Sequence, residues 1–313
     1  FWDMLRTRLS GLCRLNLMVF AAWLPLIILT AYCVLHVLDG LAVISVYEHY
    51  LATGELGEHL TLEKVAQLEA MMGDMDSAQL LLGIIQNQLT IFCLGCIPCI
   101  AITGPVQTGL AYVTRNWARD EHAFAWGDFK DAVKANWKQG LVISFVTSLL
   151  PIIVYTSYTY YGQMATTQGV FFLVPQMLVI TMSLVWMLGL TFMYPIIVSY
   201  EVKTLGVIKN GLTLAIARLP QTVGIRLITL VPALIAVAVF YFTFSELALV
   251  VLAFYYILMG FTLVRFIFAS FTNGVFDKYI NIHMEGVQVN RGLATDLDED
   301  DDEEETEETS LSE

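Results

Sequence analysis

The chain has 313 residues, of which 57% are hydrophobic and only 14% charged, with a formal net charge of −13. An ordinary water-soluble domain carries about a quarter charged residues, so one large soluble core is excluded, and no nucleic-acid partner is expected. The negative balance is local: Asp296 to Glu313 holds 12 of the 29 acids, and the other 17 nearly match the 16 bases.

Residues 1–15 place Phe1, Leu5, Leu9 and Leu12 at helical spacing, with Arg6, Arg8 and Arg14 among them. This predicts an amphipathic helix lying in a membrane interface. A first apolar span follows at about 16–38, long enough to cross a ~30 Å hydrocarbon core. No small-residue cleavage site follows it, so a cleavable signal peptide is not expected. Residues 39–79 form an insert with eight acids and one base. Within it Thr61 is placed to cap a short helix whose Leu62, Val65, Leu68 and Met72 share a face.

Further spans are predicted at about 80–103, 140–160, 169–199, 223–243 and 247–267. Two polar segments, 104–139 and 200–222, separate them, and a tail runs from about 271, acidic from about 294. Pro25, Pro98, Pro151, Pro175 and Pro232 fall inside the first five spans, where proline kinks a helix. The expected fold is an all-α polytopic membrane bundle of six transmembrane helices, over 16–270, with amphipathic interfacial helices. Fifteen of the 16 Lys and Arg residues fall on one side of this layout, and only Lys64 on the other. Bases near span ends resist translocation, which predicts a bacterial cytoplasmic-membrane protein with both termini inside. The tail, acidic and poor in apolar residues, is expected to be disordered.

The segment 104–140 carries the most pattern. Arg115 and Arg119 stand four apart. Asp128 is placed to cap a helix beginning at Phe129, in which Lys130, Lys134 and Lys138 repeat every four residues beside an apolar stripe of Phe129, Val133 and Trp137. A basic stripe beside an aromatic one suits an in-plane helix on an anionic lipid leaflet. The same stripe, together with Arg115, Arg119 and Asp128, could instead form a face that docks a partner.

The strings Gly104-Pro105, Gly109 to Arg115, Asp128 to Asp131 and Asn136 to Gly140, with Leu15-Asn16-Leu17 and with Pro195 and Lys209-Asn210 before Leu219-Pro220, resemble the YesL family of bacterial membrane proteins. The resemblance covers roughly residues 1–40 and 80–285, and the insert and acidic tail depart from the usual short form. It implies an accessory role beside carbohydrate ABC importers, with permease or ATPase subunits as partners and no settled biochemical activity.

Other motifs carry less. Cys93, Cys96 and Cys99 lie within an apolar span with no His, Asp or Glu near them, and small thiols serve helix contacts there, so no metal and no cofactor is expected. Gln86, Asn87, Gln88 and Gln176 are polar groups at similar depth. They are expected to bond across helices, or else to line a path for a small polar solute. Arg226, Arg265 and Glu246 lie near span ends, where side chains can snorkel to water. No P-loop and no nucleophile–base arrangement occurs, so no enzymatic activity is expected. The leading expectation is a non-enzymatic accessory or scaffold protein of carbohydrate uptake, and the alternative is a self-contained transporter or channel.

Overall fold

A computed structural model describes residues 2–54, 65–66, 70, 76–243 and 245–284. Thr61, Leu62, Leu68 and Met72 of the insert, and the acidic tail, lie outside the described residues. Among those described there is no strand. The helices are α1 (Trp2–Thr53), α2 (Ser77–Ala101), α3 (Thr103–Ala118), α4 (Gly127–Gln168), α5 (Leu173–Ser199), α6 (Thr204–Ala217), α7 (Leu219–Thr243), α8 (Leu247–Tyr255) and α9 (Phe261–Tyr279). A π-turn, Tyr256–Gly260, joins α8 to α9. Six helical stretches are long and apolar enough to cross a membrane, and only 6% to 22% of each one's apolar window is buried. Such side chains face outward because lipid, not protein, is to solvate them.

Two helices run further than hydropathy predicts. α1 is continuous over 52 residues, so the expected 1–15 helix and the first span are one element. α4 is continuous over 42 residues, so the expected in-plane helix from Phe129 and the span from 140 are also one. The lysine stripe therefore rides on an extension of a span, not on a separate in-plane helix. Gly140 does not break α4. It is there because α3 passes against it: a Cβ on Gly104 would collide with the Gly140 carbonyl and Ser144 Oγ, and one on Gly140 would lie 2.8 Å from Gly104 O. Pro175 does not kink a span. It sits in the first turn of α5, where its missing N–H costs nothing. Gly169, with φ 119°, makes the turn from α4 toward α5, a conformation that side-chain-bearing residues avoid.

The described chain folds as two compact units. One is drawn from Phe1–Ala22, Ile102–Ser144 and Thr181–Glu313, the other from Trp23–Ala101 and Phe145–Ile180.

In the first unit α3 packs along α9 and is buried on nearly every side, including Thr108, Leu110, Val113, Thr114 and Trp117. The Trp117 indole lies against Gly11 and donates to the Ala123 carbonyl at 3.0 Å. Phe192, Met193, Ile196, Val207 and Ala215 form the centre of its apolar core. Asn16 is fully buried. Its amide donates to the carbonyls of Tyr256 and Ile257, both at 2.8 Å, and its Oδ1 accepts the Thr262 N–H at 3.0 Å. A π-turn leaves backbone groups out of the regular ladder, and one asparagine here supplies partners to three of them.

In the second unit Leu29 of α1 packs over Gly95 of α2, and Ile84 over Gly40. Cys93 and Cys96 are buried, and all five cysteines are free. Val65 of the insert packs on Tyr47.

Two outcomes follow from these contacts. Gly104→Ala should cost about 2 kcal/mol, because it over-packs a backbone-to-backbone approach, read as a lowered thermal midpoint of the detergent-solubilised chain. Asn16→Leu should cost about 1–3 kcal/mol by leaving two buried carbonyls without donors, and an unchanged midpoint would refute the assigned role.

Candidate functional site

The polar ends of α3, α4, α5 and α9 meet in the first unit. Arg119 is 4% exposed, which removes it from any surface. Its Nη1 donates to Asn273 Oδ1 at 2.8 Å and lies 3.5 Å from Asp277 Oδ1, and its Nε donates to Glu121 Oε1 at 3.2 Å. Asp277 in turn accepts from Asn281 Nδ2, and Asn281 Oδ1 accepts the Tyr200 hydroxyl at 2.7 Å. A buried guanidinium and a buried carboxylate are tolerable only when paired and hydrogen-bonded, and this chain of bonds supplies that. Asp120, with φ 54°, turns the backbone out of α3 immediately afterwards; aspartate is one of the residues that tolerates that region.

In front of the network lies an open cleft of about 480 Å³ lined by Tyr112, Asp128, Asp131, Asn136, Tyr200 and Glu201, among others. Ser199 also borders it, and its hydroxyl is buried with no hydrogen-bond partner among the described residues. Burial pushes the Tyr200 hydroxyl up to about 12, with Arg115 and Arg119 opposing the shift and Asp277 adding to it, so it stays a neutral donor. Burial, followed by the charge of Arg119, lowers Arg115 from its ordinary value. Gln139 Nε2 donates to Val202 O at 2.9 Å and ties α4 to the segment after α5. The cleft offers three carboxylates, two phenols and an amide. It suits a cationic or hydrogen-bond-donating group.

Not every residue expected to form a docking face is on the surface. Lys130, Lys134, Trp137 and Lys138 are exposed, with the Lys138 ammonium over the Trp137 ring at 5.7 Å. At 100° per residue, the lysines occupy the side of α4 adjoining the one that presents Asp128, Asp131 and Asn136 to the cleft. Arg115 is half-buried and donates to Asn116 Oδ1 at 3.4 Å, while Arg119 is internal. Asp128 does not cap a helix starting at Phe129. It lies inside the first turn, and its Oδ2 accepts the Phe124 N–H at 2.7 Å, bracing the preceding turn.

The amides of the second unit do not converge as expected. Gln176 donates to Tyr158 O at 3.1 Å rather than to Gln86, Asn87 or Gln88. Gln86 and Asn87 are exposed, and Gln88 is buried with an unpartnered Oε1. Arg226 and Arg265 do not snorkel freely either. Arg226 donates to Thr191 Oγ1 at 2.9 Å and Met187 O at 2.6 Å, and Arg265 to Gln107 Oε1 at 2.8 Å. Among the described residues no group of three or more His, Cys, Asp or Glu is placed to hold a metal ion.

Sequence reasoning assigned nothing to Asn273, Asp277 and Asn281. The available signal was their spacing of four at the end of an apolar helix, one polar stripe on a face otherwise buried.

Arg119→Met should cost about 3–5 kcal/mol, since it strands a buried carboxylate. Adding Asp277→Asn should recover most of that loss. Equal midpoints for the single and double variants would show that the pair is not coupled.

Residues 84–158 match a family model described as a protein of unknown function, DUF624. The matched segment includes most of α2, all of α3 and the charged part of α4. Among curated proteins, none matches this chain. No solved structure matches it either.

Proposed function

We propose that this chain is a YesL-like accessory or scaffold protein of the bacterial cytoplasmic membrane, non-enzymatic, that docks a carbohydrate ABC importer through its basic inner face. The observation that carries the proposal is the two-signed surface of α4. Lys130, Lys134 and Lys138 stand exposed along one side, and none is ion-paired to a described residue. The acidic cleft opens beside them. Charges of both signs in a fixed order orient a partner and reject wrong ones. The concentration of bases on one side supports an inward face and inward termini. The resemblance of 104–140 to the YesL family supports the link to sugar uptake, and the permease or ATPase subunits are the partners of choice.

A self-contained transporter for a small polar solute is the second reading. It draws on Gln88, whose buried Oε1 has no described partner. The scattering of Gln86, Asn87 and Gln176 weighs against it.

Replacing Lys130, Lys134 and Lys138 together with Glu should lower recovery of importer subunits, after mild crosslinking in native membranes, by about tenfold, with the thermal midpoint unchanged. Full recovery would reject the docking face. Solute flux in liposomes holding this chain alone would shift the assignment to transport.

A further inference from the structure

α7 and α8 are the arms of a hairpin, and their apolar runs are of nearly equal length. Counting back from the hairpin, Arg226 is the first Lys or Arg met on α7, and Arg265 the first met beyond α8. Residues 227–243 and 247–264 are 17 and 18 long, counted from these bounds, and each rises roughly 25–27 Å as helix. The two arginines therefore mark one level, where hydrocarbon gives way to headgroups.

Their partners are neighbours as well. Arg226 bonds Thr191, and Arg265 stacks on Tyr194 at 4.9 Å, one turn along α5. Arg226 stacks on Phe268 at 4.7 Å, one turn beyond Arg265 on α9. Both side chains are half-buried. Neither is ion-paired to a described residue. Three of their donor nitrogens, Arg226 Nη1 and Arg265 Nη1 and Nη2, have no described acceptor, and none of the three is sealed from outside. Two cations held by neutral groups, with spare donors at headgroup depth, lack a counter-charge that the described protein does not supply. Val223, Leu227 and Leu230 of α7, beside Arg226, are exposed and apolar.

We infer that Arg226 and Arg265 form a binding site for the phosphate of an anionic phospholipid, whose acyl chains lie along α7. Guanidinium groups grip phosphate by paired hydrogen bonds, and basic pockets between membrane helices take anionic headgroups. The apolar flank favours a lipid over a free anion. The inference requires only that the chain spans a membrane, and stands or falls independently of the docking proposal.

The test is native mass spectrometry of the full chain from micelles doped with equal phosphatidylglycerol and phosphatidylcholine. Wild type should retain phosphatidylglycerol over phosphatidylcholine by about tenfold. Arg226→Gln and Arg265→Gln should each lose most of that preference, while Lys209→Gln, at an exposed lysine of α6, should keep it. If Arg265→Gln fails to fold, Arg226→Gln decides, provided its thermal midpoint in phosphatidylcholine matches wild type. No preference in wild type, or full preference in a folded Arg226→Gln, overturns the site. Displacement of the lipid by millimolar inorganic phosphate overturns the lipid assignment in favour of a free anion.

Discussion

The interaction on which the polar end of the first unit depends is the buried pairing of Arg119 with Asn273 and Asp277. A guanidinium closed off from water must find acceptors in the protein. Those on α9 hold the end of α3 in place. Asp277 then orients Asn281, and Asn281 orients the Tyr200 hydroxyl. Tyr200 is part of the cleft wall. The wall is thus set from behind by the buried Arg119, Asp277 and Asn281, while the exposed lysines of α4 stand on the adjoining side of that helix.

Helix–helix contact elsewhere follows a different logic. Lipid-facing helices gain little from hiding apolar side chains, so close approach must come from small residues. Gly104 and Gly140 bring α3 and α4 to backbone contact, and Gly95 admits Leu29. Gly11 does the same for the Trp117 indole. These glycines are contact surfaces rather than flexible joints. That is why Gly140 sits in mid-helix without ending it.

The six-span, all-α architecture was legible because long apolar runs have few other homes than a bilayer. Boundaries were less legible. Hydropathy falls where Arg14 and Lys138 begin to appear, but helical hydrogen bonding does not stop there, so α1 and α4 pass through levels that composition alone would divide. The exposed Lys130, Lys134 and Lys138 were readable from their spacing. The interior position of Arg119 was not, since the buried acceptors of its Nη1 come more than 150 residues later. Asp128 failed as a cap for a local reason: the helix begins at Gly127, and the carboxylate turns back to Phe124 instead. For Gln88 and Gln176, equal depth did not mean equal direction, and Gln176 found the Tyr158 carbonyl first.

The π-turn at Tyr256–Gly260 bears on how such a chain can change over time. A wide turn is one residue more than a regular helix needs, so it has the character of an insertion. By itself that insertion orphans carbonyls in an apolar setting. Asn16 by itself would be a buried amide without partners. Each is costly alone and tolerable together, although 240 residues separate them. Loss of the extra residue and loss of the asparagine should therefore be tolerated as a pair, and the length of one helix is tied to the identity of a side chain on another.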